Sequence, residues 1–153
     1  MKLGEALSFL KKEKSRLARF ISLRKENIYV EEGKKTKFNP EELGQEINKR
    51  IEGIRKLKIK IQKTNLDTKV KDENISLAEA LIKIGDLRSQ ISNLSNLFEK
   101  YRDSWLYRDK DKVEKIAQLD ETKIEKEIES LEAEKVELDN KIQISNWTTE
   151  LTK

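Results

Sequence analysis

The chain has 153 residues, about the size of one domain, with 41% charged and 35% hydrophobic residues and a formal net charge of +4. It contains no His and no Cys, which excludes disulfides, thiol nucleophiles, Ser–His and Cys–His relays, and the usual zinc, haem and iron–sulfur ligand sets. The side chain most used for proton transfer near neutral pH is missing as well.

The apolar residues recur at helical spacing and are mostly Leu, Ile, Val and Ala, so the high charge reads as solvated helix faces and not as disorder. A first helix is predicted over about residues 2–27, where Leu3, Leu7, Leu10, Leu17, Ile21 and Ile28 form a heptad seam interrupted by Lys14 and Arg24. Ala6, Phe9, Phe20 and Leu23 widen that stripe enough to touch two neighbours. Residues 28–38 place β-prone side chains on either side of Gly33 and fit a short hairpin or a charged loop.

A second helix is predicted over about 40–65. Asn39 suits the N-cap, Pro40 the first helical position, and Glu41 and Glu42 face the positive end of the helix dipole. Its stripe is Leu43, Ile47, Ile54, Leu57 and Ile61, with Arg50 in the seam. Gly44 and Gly53 each weaken it by roughly 1 kcal/mol relative to Ala. Residues 67–74 read as a tight hairpin.

Ser76-Leu77-Ala78-Glu79 is a capping box. It opens a third helix over about 76–101, whose seam of Leu77, Ala80, Ile84, Leu87, Ile91, Leu94, Phe98 and Tyr101 carries no charge. Residues 103–119 hold Trp105, Leu106 and Tyr107 ahead of the charged run Arg108-Asp109-Lys110-Asp111-Lys112, and no element is assigned there. A last helix is predicted over about 120–145, with the stripe Ile124, Ile128, Leu131, Leu138 and Ile142 and Lys135 in the seam. Rods of about 25 residues measure about 38 Å. The expected architecture is one all-α domain, 1–153, of four long amphipathic helices in antiparallel coiled-coil or helical-bundle packing, with short β-hairpins admitted in the connections.

Charge is segregated along the chain. Residues 1–28 carry eight Lys/Arg against three Glu, a net of +5; residues 41–66 carry seven against four, a net of +3; residues 120–153 carry five Lys against ten Asp/Glu, a net of −5. The economical use of this pattern is pairing of basic with acidic helices inside the domain. The clusters Lys11, Lys12, Lys14, Arg16, Arg19 and Arg55, Lys56, Lys58, Lys60, Lys63 could meet phosphates. They wrap around their helices and lack interleaved aromatics, which weighs against nucleic acid. Lys14, Arg24, Arg50 and Lys135 are expected to snorkel or to set register and not to line a polar channel. Trp105, Tyr107 and Trp147 are the candidate partner contacts: the first two as loop aromatics, Trp147 as either a ligand platform or an apolar cap on the bundle end.

Three segments carry a family resemblance: Met1-Lys2-Leu3-Gly4-Glu5-Ala6-Leu7, Gln62-Lys63-Thr64-Asn65 followed by Ser76-Leu77-Ala78-Glu79-Ala80-Leu81, and Ile142-Gln143-Ile144-Ser145-Asn146-Trp147-Thr148-Thr149-Glu150-Leu151. Together they resemble the septicolysin-like family of small prokaryotic helical proteins, across the whole chain and most specifically in the closing Asn-Trp-Thr-x-Glu-Leu. Residues 101–119 match less well. The family name implies a haemolysin-like, pore-forming activity, and it brings no catalytic residues with it.

No run approaches the roughly 18 consecutive apolar residues of a membrane span, and the start is acidic by Glu5, unlike a secretory signal. The expected location is cytoplasmic. No metal or other cofactor is expected, and the inner stripes lack the paired carboxylates of di-iron bundles, so the chain is not expected to be an enzyme. The leading expectation is a self-associating structural or scaffold protein, a homo-oligomer able to take protein partners. Pore formation follows only from the resemblance, and nucleic-acid binding only from the basic helices.

Overall fold

The computed structural model describes residues 1–98 and 116–152. Among the described residues four helices follow in chain order: α1 (Leu3–Glu26), α2 (Pro40–Asp67), α3 (Leu77–Ser95) and α4 (Glu121–Thr148). The expected start signals work as local chemistry. The Asn39 side chain accepts from the Glu41 N–H at 2.8 Å. Ser76 Oγ accepts from the Glu79 N–H at 3.2 Å while the Glu79 carboxylate accepts from the Ser76 N–H at 2.7 Å. That backbone donor, with the Ser76 hydroxyl, holds Glu79 below the usual carboxylate range. Asp120 Oδ1 accepts from the Thr122 N–H at 3.0 Å to open α4.

Two helix ends differ from expectation. α3 stops at Ser95 instead of running to about 101: the Asn96 N–H closes on Ser92 O at 3.2 Å and residues 96–98 turn away. Ser92, Asn93, Ser95 and Asn96 are weak helix formers that compete for backbone bonds, and here they outweigh the apolar seam. α4 instead runs past 145 to Thr148, so Trp147 lies inside the helix.

The connections hold no strand among the described residues: the first takes the loop alternative, and the hairpin expected over 67–74 is reduced to a single bridge. Between α2 and α3 there is one isolated antiparallel bridge, Lys69 with Ser76, closed by Val70 N–H to Ile75 O at 3.0 Å and Leu77 N–H to Thr68 O at 2.9 Å. Asp72 takes the left-handed backbone that makes this turn tight. The connection after α1 has no bridge. Gly33 turns it at φ 80°, and Asn27 bonds both Leu23 O and the Phe38 N–H.

α1 packs along α2 and α3 along α4, forming two antiparallel hairpins; α1 with α4 and α2 with α3 touch far less. The hairpins share one core at a common base, where Leu3, Ala6, Ile61, Val70, Leu77, Ala80, Ile84, Leu138 and Ile142 are buried together. Leu43, Ile47 and Ile54 continue the buried side of α2. Ile91, Leu94, Ile124, Ile128 and Leu131 are only half-buried.

This layout overturns the expected pairing of basic with acidic helices. The two basic helices pack on each other, and the acidic α4 packs on α3. Burying an apolar seam is worth more than solvent-exposed charge pairs of a few tenths of a kcal/mol each.

The seam of α1 also sits one residue off the expected stripe. Ala6, not Leu7, is fully buried, Phe20 is better covered than Ile21, and Glu13, not Lys14, turns inward. Both stripes share Leu3, Leu10 and Leu17, so spacing alone leaves the two registers equivalent. The α2 partner of Glu13 decides between them.

Candidate interaction surface

At the base, the two ends of the chain lock together. The Leu3 N–H donates to Thr149 O at 2.9 Å, and the Leu151 N–H donates to Met1 O at 2.9 Å. Lys2 Nζ lies 2.8 Å from Glu150 and donates to Thr148 O at 2.9 Å. Hydrogen bonds from Lys2, then from the terminal ammonium, hold the Glu150 carboxyl below its ordinary range. Buried Thr64 receives the tail, its Oγ1 accepting from the Thr152 N–H at 3.0 Å and donating to Lys60 O at 2.9 Å. On the hairpin of α3 and α4, Lys141 binds Glu137 and Glu73, both at 2.8 Å, and these carboxylates raise the Lys141 pKa.

Trp147 closes this end. Its ring lies so close over Gly4 that a Cβ added there would sit 2.9 Å from Trp147 Cδ2, yet the residue remains 57% exposed. It is an apolar lid with one wet side. Trp105 and Tyr107 lie outside the described residues. Gly4→Ala is expected to displace the indole and destabilise the fold by about 1–3 kcal/mol. Gly53, with no atom within 4 Å of an added Cβ, should respond oppositely, Gly53→Ala gaining about 0.5–1 kcal/mol. Thermal melts of both variants measure this, and a shared sign would refute the ring contact.

Of the four cations in the seams, two have built partners. The Arg50 guanidinium reaches Glu13 Oε2 at 2.8 Å and Glu46 Oε1 at 2.8 Å, and stacks 4.6 Å from the centre of the Phe20 ring. Glu13 also accepts from Arg16 at 2.7 Å. Arg24 Nε donates to Pro40 O at 3.1 Å, and its guanidinium lies 3.0 Å from where a Cβ on Gly44 would stand. Gly44 thus leaves room for that cation against α2. Lys14 is exposed and Lys135 half-buried.

A second surface was not apparent from the sequence. A groove of about 680 Å³ opens where α1, α2 and α3 meet, lined by Leu7, Ile59, Leu66 and Leu81 together with Lys14 and Lys58. None of the α2 or α3 residues among these four belongs to a predicted stripe. They fall on the flanks of two seams and become contiguous only when the hairpins meet. No group of three or more His, Cys, Asp or Glu that could hold a metal occurs among the described residues. No described helix is long and apolar enough to cross a membrane.

Residues 11–151 match a family described as "Family of unknown function (DUF6847)". A solved structure, titled as a functionally unknown conserved protein from Corynebacterium diphtheriae, is similar at 28% identity and TM-score 0.87, over 99% of each chain. No curated protein matches the sequence. Neither description carries a septicolysin-like name, so the lytic implication of that resemblance gains no support from them.

Proposed function

The chain belongs to the DUF6847 family, whose function is unknown, and we propose that it works by binding protein chains, first of all copies of itself, as a structural or scaffold protein and not as an enzyme. One observation carries this reading. Large apolar side chains of the described helices stand in solvent: Leu66 is 64% and Ile82 66% exposed. Two hairpins that share only a basal core leave such surface to be covered by something else, and contiguous apolar surface on soluble proteins marks interaction sites.

Gel filtration with light scattering across the micromolar range tests the reading. The expected mass exceeds 18.0 kDa and rises with concentration; a monomer throughout would remove self-association. A nucleic-acid reading has one observation in its favour, because the two basic helices form a single hairpin while the acidic α4 lies on the other. The same column loaded with a labelled DNA duplex separates the two: co-elution at low salt, lost as salt rises, would favour that second reading.

A further inference from the structure

We propose that the outer face of α4 docks into the groove between α1, α2 and α3 of a second copy of the chain. The proposal rests on the self-association argued above and assigns the surfaces that mate.

Apolar side chains and lysines line the groove together. Leu7, Ile59, Leu66 and Leu81 are 38%, 50%, 64% and 48% exposed. From Lys58 to Leu66 it follows α2 for eight residues, about 12 Å at helical rise. Lys14, Lys58 and Lys63 line it and pair with no described carboxylate. No α4 residue lines the groove, so the α4 proposed to fill it is that of a second copy.

α4 has the complementary features. Its inner stripe, Leu131, Leu138 and Ile142, packs in the seam, while Ala133, Val136, Asn140, Ile144 and Trp147 follow at spacings of three and four residues on the opposite side. Val136 is 55% and Ile144 53% exposed. These two anchors are eight residues apart, again about 12 Å, with Asn140 between them, and the groove lining includes Gln62 and Asn65. Glu129, Glu132 and Glu137 flank the anchors, and the first two pair with no described residue. An amphipathic helix entering an apolar groove is a recurrent recognition mode, and acidic flanks against lining lysines set its direction and register.

The native chain has no Cys, so single thiols report contacts cleanly. Leu66→Cys and Ile144→Cys proteins, mixed and treated with a short thiol–thiol crosslinker, should give a covalent pair well above the yield from either variant alone. The double variant Lys58→Glu with Lys63→Glu should weaken association about tenfold, and mixing it with Glu129→Lys plus Glu132→Lys should restore it. All four charge positions are solvent-exposed, so folding is not at stake. If the mixed thiols crosslink no better than each alone while light scattering still shows an oligomer, this docking is wrong and self-association stands. If light scattering shows only monomer, both fall.

Discussion

Leu77→Ala should lower the unfolding free energy by about 2–5 kcal/mol, whereas Leu131→Ala should cost clearly less. Leu77 is 1% exposed, within the nine-residue core that ties the hairpins together. Its removal takes away both transfer energy and a filled volume that a junction of four helix ends cannot easily collapse. Leu131 sits farther out in a half-buried seam, where much of its surface already meets water. Since domains of this size are stable by only about 5–15 kcal/mol, the basal substitution takes a large share of the total. Urea unfolding followed by circular dichroism measures both changes. Equal losses at the two positions would mean that stability is spread along the hairpins and not concentrated at their base.

The second large effect is expected at the Glu13–Arg50 pair. Glu13→Gln keeps the shape but removes the charge, leaving a guanidinium that is only 20% exposed with Glu46 as its remaining anion. A loss of about 1–3 kcal/mol follows. Arg50 Nε is already buried without an acceptor among the described residues, so the pair is not an optimised source of stability. Replacing both members by apolar residues, Glu13→Leu with Arg50→Met, should therefore recover most of that loss. A double-mutant cycle in urea yields the coupling directly. A double variant as unstable as the sum of the two single variants would show that the ion pair does not act as a unit.

The same pair accounts for the place where the stripe of α1 could not be read. Leu3, Leu10 and Leu17 belong to both candidate seams, and choosing Leu7 with Lys14 or Ala6 with Glu13 depends on what faces them. A cation at position 50 on α2 attracts Glu13 and would repel Lys14, and the small Ala6 lets the basal helices approach closely. Neither fact is local to α1. On α2, by contrast, Leu43, Ile47, Ile54 and Ile61 of the expected stripe are buried, and on α4 Leu138 and Ile142 are, with Ile124, Ile128 and Leu131 half-buried. The candidate surface was legible in part: Trp147 stood out by type and position. The groove did not, because Leu7, Leu66 and Leu81 come from three helices.

What the sequence determined by itself is local: the period of the apolar rows, and the side-chain caps at Asn39 and Ser76 that fix where α2 and α3 start. Each of these is settled within one or two helical turns by backbone bonding and side-chain spacing. Which helices became neighbours was decided only by the tertiary structure, against the charge pattern, because burying a seam beside a chain-adjacent partner outweighs screened ion pairs at the surface. The bipolar molecule that results, one basic hairpin and one acidic hairpin joined at a small core, is a consequence of that contest and could not be read from any single helix.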